Sequence, residues 1–270
     1  MQKLINTLFL LALVSLSFSA CTNEETAVVD EQKQISAEVL LQIKKLGFST
    51  ENVIKEADHY IVEGDIVLHE EDLERTDLHE NFLRIADVEQ YRTTNLVKSL
   101  PRVITVSVDA KLGSKYVTTT DAAIARYNAE GLQITMRRVA SGGDIKITAA
   151  PLNASYLASA GFPSSTGNPY GSVKINNAYL DANGWGNNSI TSIIAHEIGH
   201  CIGFRHTDYM DRSFSCGGGY ANEGQSNVGA IHIPGTPTDA DRNSWMLACI
   251  GKNDDRPFNA NDKTALKYLY

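Results

Sequence analysis

Three of the seven histidines in this 270-residue chain fall within eleven residues, His196 to His206, which read HEIGHCIGFRH. The run SITSIIAHEIGHCIGF is predicted to be helical. On a helix, His196 and His200 are four positions apart and project from one face. Two neutral imidazoles can hold one Zn²⁺ at about 2.0–2.1 Å each. Gly203 marks where the helix should stop, because glycine accepts the left-handed backbone that ends helices. The chain can then turn and bring His206 back as a third ligand. Three protein ligands leave the fourth tetrahedral position to water, the arrangement of a catalytic ion and not of a closed structural one. Glu197, beside the first ligand, is placed to act as general base on that water and to pass the proton to a leaving group. Imidazole also suits copper, nickel and iron, so the residues specify a transition metal more firmly than they specify zinc.

The N-terminus reads as an address and not as part of the fold. Lys3 precedes the apolar run LFLLALVSL, and Ser19-Ala20 precede Cys21. That is the layout of a signal peptide over residues 1–20, too short to span a membrane. Small residues directly before a cysteine resemble the bacterial lipoprotein processing box, with Phe18 departing from its usual leucine. The resemblance implies that Cys21 carries lipid and anchors an exported protein to a membrane. Simple secretion is the alternative. Export permits a disulfide among Cys201, Cys216 and Cys249, for which Cys216–Cys249 is preferred because both flank loops.

Charge splits the chain beyond Cys21 into two parts. Residues 22–100 carry 18 acidic and 8 basic side chains, and residues 101–270 carry 14 and 15. An acidic tether and pro-segment over 21–100 is expected to precede a neutral catalytic domain over 101–270. The overall charge of -8 argues against a nucleic-acid partner.

Ser36 should cap a short helix in SAEVLLQIKKLGF, ending before Gly47. HYIVEGDIVL reads as a strand broken at Gly-Asp, and the charged stretch from His69 to Arg92 as helix. After Pro101 come a strand (RVITVSVDA), a helix (TTTDAAIARYNAEG, capped by Thr or Asp), and two strands (LQITMRRV, DIKITAAP) joined by the turn ASGG. A Gly/Pro/Ser loop leads to the strand SVKINNAYL and then the histidine helix. The expected fold is α+β: a twisted mixed sheet, two main helices, the second carrying the zinc motif, and a loop-rich C-terminal part.

HEIGHCIGFRHTD resembles the zinc helix of metzincin proteases, and its HEIGH core is most similar to the bacterial HEIGH metallopeptidases. The likeness extends over roughly residues 101–270. YLASAGFPSSTGNPYGSVKIN resembles the stretch ending in the edge strand above the cleft, where substrate backbone can pair. NSWMLACIG, forty residues past His206, looks like a Met-turn that would seat Met246 beneath the imidazoles. FNANDKTALKYLY resembles the closing helix. Ala248 stands where some metzincins carry a tyrosine ligand, and Thr207 where several subfamilies carry Asp, Glu or Ser; Asp208 can take over part of that role. The resemblance implies hydrolysis of peptide bonds in a protein or peptide substrate, with one catalytic Zn²⁺.

Val62-Glu63-Gly64-Asp65 is similar to the Phe-x-Gly-Asp motif of astacin-type pro-segments, with Val for Phe. There the aspartate occupies the water position on zinc, so Asp65 would hold the enzyme latent. An ordinary turn is the alternative. A cysteine switch is excluded, since residues 22–100 hold no cysteine. Candidate activation cuts lie near Arg84, Arg92 and Lys98, and a cut there would also release the enzyme from its anchor. His59, His69, His79 and His232 read as surface residues. Calcium has only a weak candidate in the NDD at 253–255. The competing class is a surface-binding lipoprotein with structural zinc, against which the intact Glu197 argues.

Overall fold

In the computed structural model, which describes residues 35–73, 90–220, 222, 230–237 and 241–270, the first described element is the helix that Ser36 was expected to cap. Helix α1, Ala37–Lys45, is capped by Ser36, whose Oγ accepts from the Val39 amide, and Gly47 follows its end at φ +82°. Cys21, His79 and Arg84 lie outside the described residues.

Strands β1 (Ile54–Lys55), β2 (His59–Val62) and β3 (Ile66–His69) form an antiparallel sheet in sequence order. HYIVEGDIVL is therefore a hairpin and not one interrupted strand. Glu63, Gly64 and Asp65 make its tip, with Glu63 at φ +56° and Gly64 at φ +94°. Ile43, Leu46 and Phe48 close over Tyr60, Val62, Ile66 and Leu68, giving this segment a small apolar core of its own. Among the described residues of the charged stretch after it, Glu70–Leu73 is a short helix, α2, and Tyr91–Arg92 is a strand, β4, where helix was expected.

Strand β5 (Arg102–Val108) leads through a 3₁₀ turn at Ala110–Leu112 to α3 (Ser114–Asn128). That helix starts before the predicted Thr/Asp cap, with Gly113 at the N-cap position; Asp121 instead pairs with Arg138 at 2.6 Å. Buried Tyr116 and Thr119 draw the extra turn into the helix.

Strands β6 (Ile134–Val139) and β7 (Ile145–Ala149) are not partners in a hairpin. Both run parallel to β5, one on each side, so ASGG carries the chain across β5. After β8 (Ala158–Ser159) and β9 (Ser172–Ile175) the sheet order is β6-β5-β7-β9-β8, with only β8 antiparallel to its neighbour. The edge above the cleft is thus β8, and SVKI lies one place inside it. NNAYL, expected as strand, is α4 (Asn177–Ala182), because the Asn176 side chain accepts from the Tyr179 amide and starts a helix.

Helix α5 (Asn187–Cys201) packs on α3 and on the sheet. Ile190, Ile194 and Ile198 join Ile104, Val106, Ile147 and Val173 in the main core. Such buried side chains contribute about 1.5–3 kcal/mol each. The short α6 (Ser213–Cys216), β10 (Ile231–His232, paired with β4) and α7 (Ala260–Leu269) complete the chain. Asn259 and Asp262 form a reciprocal capping box at the start of α7. No helix among the described residues is long and apolar enough to cross a membrane.

Candidate metal centre

Helix α5 places His196 and His200 one turn apart, both buried, with ring centroids 4.6 Å apart. The helix ends at Cys201 and the chain reverses through Gly203 at φ +109°, as the motif predicted. Few residues but glycine take that conformation, and here the reversal returns His206 so that its Nε2 lies 3.2 Å from His200 Nε2. Two backbone carbonyls orient the rings. Trp245 O accepts from His196 Nδ1 at 2.9 Å, and Phe204 O accepts from His200 Nδ1 at 2.8 Å. A carbonyl can only accept, so Nδ1 carries the proton in each ring and Nε2 turns a lone pair inward.

The fourth member comes from the hairpin tip. Asp65 Oδ2 lies 3.1 Å from His206 Nε2 and 3.5 Å from His196 Nε2. The four donor atoms sit within 4.8 Å of one another. Tetrahedral zinc with ligands at 2.0–2.1 Å has donor–donor edges of about 3.3–3.4 Å, which the three short spacings bracket. His196 Nε2 and Asp65 Oδ1 are buried without a hydrogen bond. Buried polar atoms of this kind call for a partner, and a cation at the centre meets the need. The residues present therefore fit a metal ion of tetrahedral habit.

Electrostatics follows from this crowding. Burial pushes the Asp65 carboxyl up, but the imidazoles of His206, His196 and His200 outweigh it and hold the group well below the carboxylate range. Glu197 shows the reverse: burial and then the nearby Asp65 charge push its carboxyl well above the usual value. Its Oε2 is buried with no hydrogen-bond partner. Burial, then His196, depress His200, so its imidazole stays neutral.

Met246 is fully buried against Gly199, and its carbonyl accepts from the Thr207 amide at 2.9 Å. Asp208 ties the loop after His206 to the same turn, accepting from the Ala248 amide at 2.9 Å and from Ser215. Cys216 and Cys249 are joined in a disulfide, the preferred pairing, and Cys201 is a buried free thiol. A cavity of about 240 Å³ opens beside His196 and Glu197, walled by Tyr156, Ile193, Leu247, Ile250 and Arg256.

The hairpin also takes the edge of the main sheet. Val67 N donates to Ala160 O at 2.7 Å and Ala160 N to Asp65 O at 2.9 Å, a parallel pairing just beyond β8. At the tip, Glu63 and Arg205 form an ion pair of 2.7 Å with both side chains fully buried, and Arg205 also lies 5.0 Å from the Phe48 ring. Neither residue stands out in the sequence; their pairing depends on the docked tip. The carbonyls of Phe204 and Trp245 left no signal either, since any residue supplies one. The NDD at 253–255 is occupied by protein partners: Asp255 takes Arg126 and Ser192, and Asp254 takes the Gly251 amide. The three described histidines read as surface residues, His59, His69 and His232, are all half-buried, and His59 and His69 face each other across the hairpin.

Among proteins of known structure, two structures of myroilysin are similar at 18% identity. One covers 72% of this chain and 94% of its own with a TM-score of 0.38; the other covers 65% and 95% with a TM-score of 0.39. No curated protein matches the chain. The family model of the dual-action HEIGH metallo-peptidases matches residues 60–270, from the hairpin to the last residue. That span covers most of the sequence and includes the buried histidines, and the chain belongs to this metallopeptidase family.

Proposed function

We propose that the chain is an exported zinc endopeptidase, lipid-anchored at Cys21 and latent until its pro-segment is removed. Residues 1–20 are its signal peptide, 21–100 its tether and pro-segment, and 101–270 its catalytic domain. The observation that carries the reading is the convergence of Asp65, His196, His200 and His206 at tetrahedral spacing. The three histidines would hold Zn²⁺, with Met246 beneath them. When bound, zinc lowers the pKa of water and polarises a peptide carbonyl.

Glu197 takes the proton from the attacking water and returns it to the leaving amine. The edge at β8 aligns the substrate backbone, and the cavity beside Glu197 receives one side chain. In the latent form Asp65 fills the position that water needs, while the hairpin holds the edge. Of the candidate cuts, Arg92 lies in β4, and Lys98 is held by Gly167 O and Ser165 O.

Casein hydrolysis by the full chain, with metal content measured alongside, tests the reading. Once the pro-segment has been cut away, Glu197→Gln should lose about 10²–10⁴-fold in rate relative to the activated wild type while retaining zinc. Asp65→Ala should be active without proteolysis. Rates unchanged in Glu197→Gln would refute the assigned base, and unchanged latency in Asp65→Ala would refute the switch.

A further inference from the structure

The base of the hairpin that presents Asp65 carries a second set of metal-binding side chains. The antiparallel register puts His59 directly opposite His69, with ring centroids 5.7 Å apart. Asp58 precedes His59, and donor atoms of Asp58, His59 and His69 lie within 4.8 Å of one another. Glu56 adds a further oxygen, its Oε2 3.2 Å from His59 Nε2. Two imidazoles and one carboxylate therefore meet at one end of the hairpin, with Glu56 against the other ring nitrogen of His59.

The rings are oriented as ligand rings are. Asp58 Oδ1 lies 2.8 Å from His59 Nδ1 and holds it, which leaves Nε2 turned toward Glu56. That Nε2 is shielded from solvent and makes no hydrogen bond, because Glu56 is close but out of line for one. His69 Nε2 is 3.0 Å from the Tyr170 hydroxyl, which leaves Nδ1 available to a cation. Tyr156 donates to Glu56 Oε1 at 2.8 Å. Both tyrosines belong to the loop region around the sheet edge, so they brace the cluster from the enzyme side as outer partners brace metal ligands. Asp58 is exposed over 79% of its side chain, and its donor atom already lies within reach of both imidazoles.

We propose that Asp58, His59 and His69, with Glu56 beside them, form a second divalent-cation site that takes Zn²⁺ and fastens the base of the Asp65 hairpin. Imidazole with carboxylate selects a transition cation over magnesium or calcium. A cation there cross-links β2 to β3. Through Tyr156 and Tyr170 it also stiffens the docking of the hairpin against the enzyme body. The site stands on the hairpin's own residues; only its effect on latency rests on the proposed role of Asp65.

The test counts ions. The full chain is stripped with chelator, titrated with Zn²⁺, desalted and assayed by elemental analysis. Wild type should take two ions per chain and the His59→Gln/His69→Gln double variant one, with equal melting temperatures for the stripped proteins. A His200→Gln variant, changed in the cleft, should also take one. Two ions in the hairpin variant, or a single wild-type ion that only the cleft variant loses, would overturn the proposal. A single wild-type ion lost only in the hairpin variant would uphold it and instead refute the cleft reading.

Discussion

Gly199, inside the HEIGH motif, leaves room that Met246 fills. A Cβ there would come 2.5 Å from Met246 Sδ and 3.1 Å from Trp245 Nε1. Gly199→Ala should cost about 1–3 kcal/mol, because overpacking a full core forces side chains and backbone to shift. The shift falls on the turn whose Trp245 carbonyl orients His196, so zinc affinity should fall with stability. Thermal unfolding with and without Zn²⁺ reads both, and a variant that melts like wild type refutes the packing argument. Cys201, which had no role in the motif's chemistry, sits in the main core with its thiol pushed well up by burial and then by Glu197. It should resist thiol reagents in the native protein and react only on denaturation; rapid labelling of the folded chain would contradict this.

At the scale of elements, the hairpin is the part that local pattern misread. Alternating apolar residues in HYIVEGDIVL were legible as strand, and Gly-Asp as an interruption. That the interruption is a tip reaching the histidines depends on Arg205, 142 positions from Glu63. Glu63 holds a left-handed φ that costs about 1–2 kcal/mol, and the buried ion pair offsets it. Glu63→Gln keeps the shape but removes one charge of a fully buried pair. It should weaken docking by up to about 3–5 kcal/mol. Faster cleavage by trypsin and partial activity of the uncut chain are the expected outcomes; wild-type resistance would show that the pair does not hold the tip. Strands β6 and β7 make the same point from the other side. Each was legible by its alternation, yet their placement on opposite sides of β5 was not, because parallel pairing satisfies the same pattern as a hairpin.

Across the whole molecule, Asp262 joins three distant stretches. Its carboxylate accepts from Gln90, from the Trp245 amide and from the Asn259 amide. Burial pushes its pKa up to about 7, from an ordinary 3.8. A raised carboxyl stabilises the fold fully below the unfolded value and loses that contribution as pH rises through the folded one. Stability should therefore fall between about pH 4 and pH 7, by a contribution on the order of 4 kcal/mol at about 1.4 kcal/mol per unit. Denaturant midpoints across that range, compared with Asp262→Asn, check it. An equal slope in both proteins would assign the pH dependence elsewhere. Gln90 in this network, like Val97 bonded to the Tyr270 hydroxyl, shows that residues 90–100 are woven into the body of the enzyme despite their place in the acidic half of the sequence.

The sequence alone singled out the three imidazoles that the structure brings together, the glutamate beside them and the glycine that turns the chain. All five lie within eleven residues, where helical periodicity and one left-handed position dictate which side chains share a face. Only the tertiary structure decided that Asp65 reaches His206 across 141 positions, that His59 meets His69, and which strand forms the sheet edge. Those contacts depend on how stretches far apart in the chain dock. Docking is decided by buried area and by charge pairs such as Glu63–Arg205, and no local periodicity encodes it.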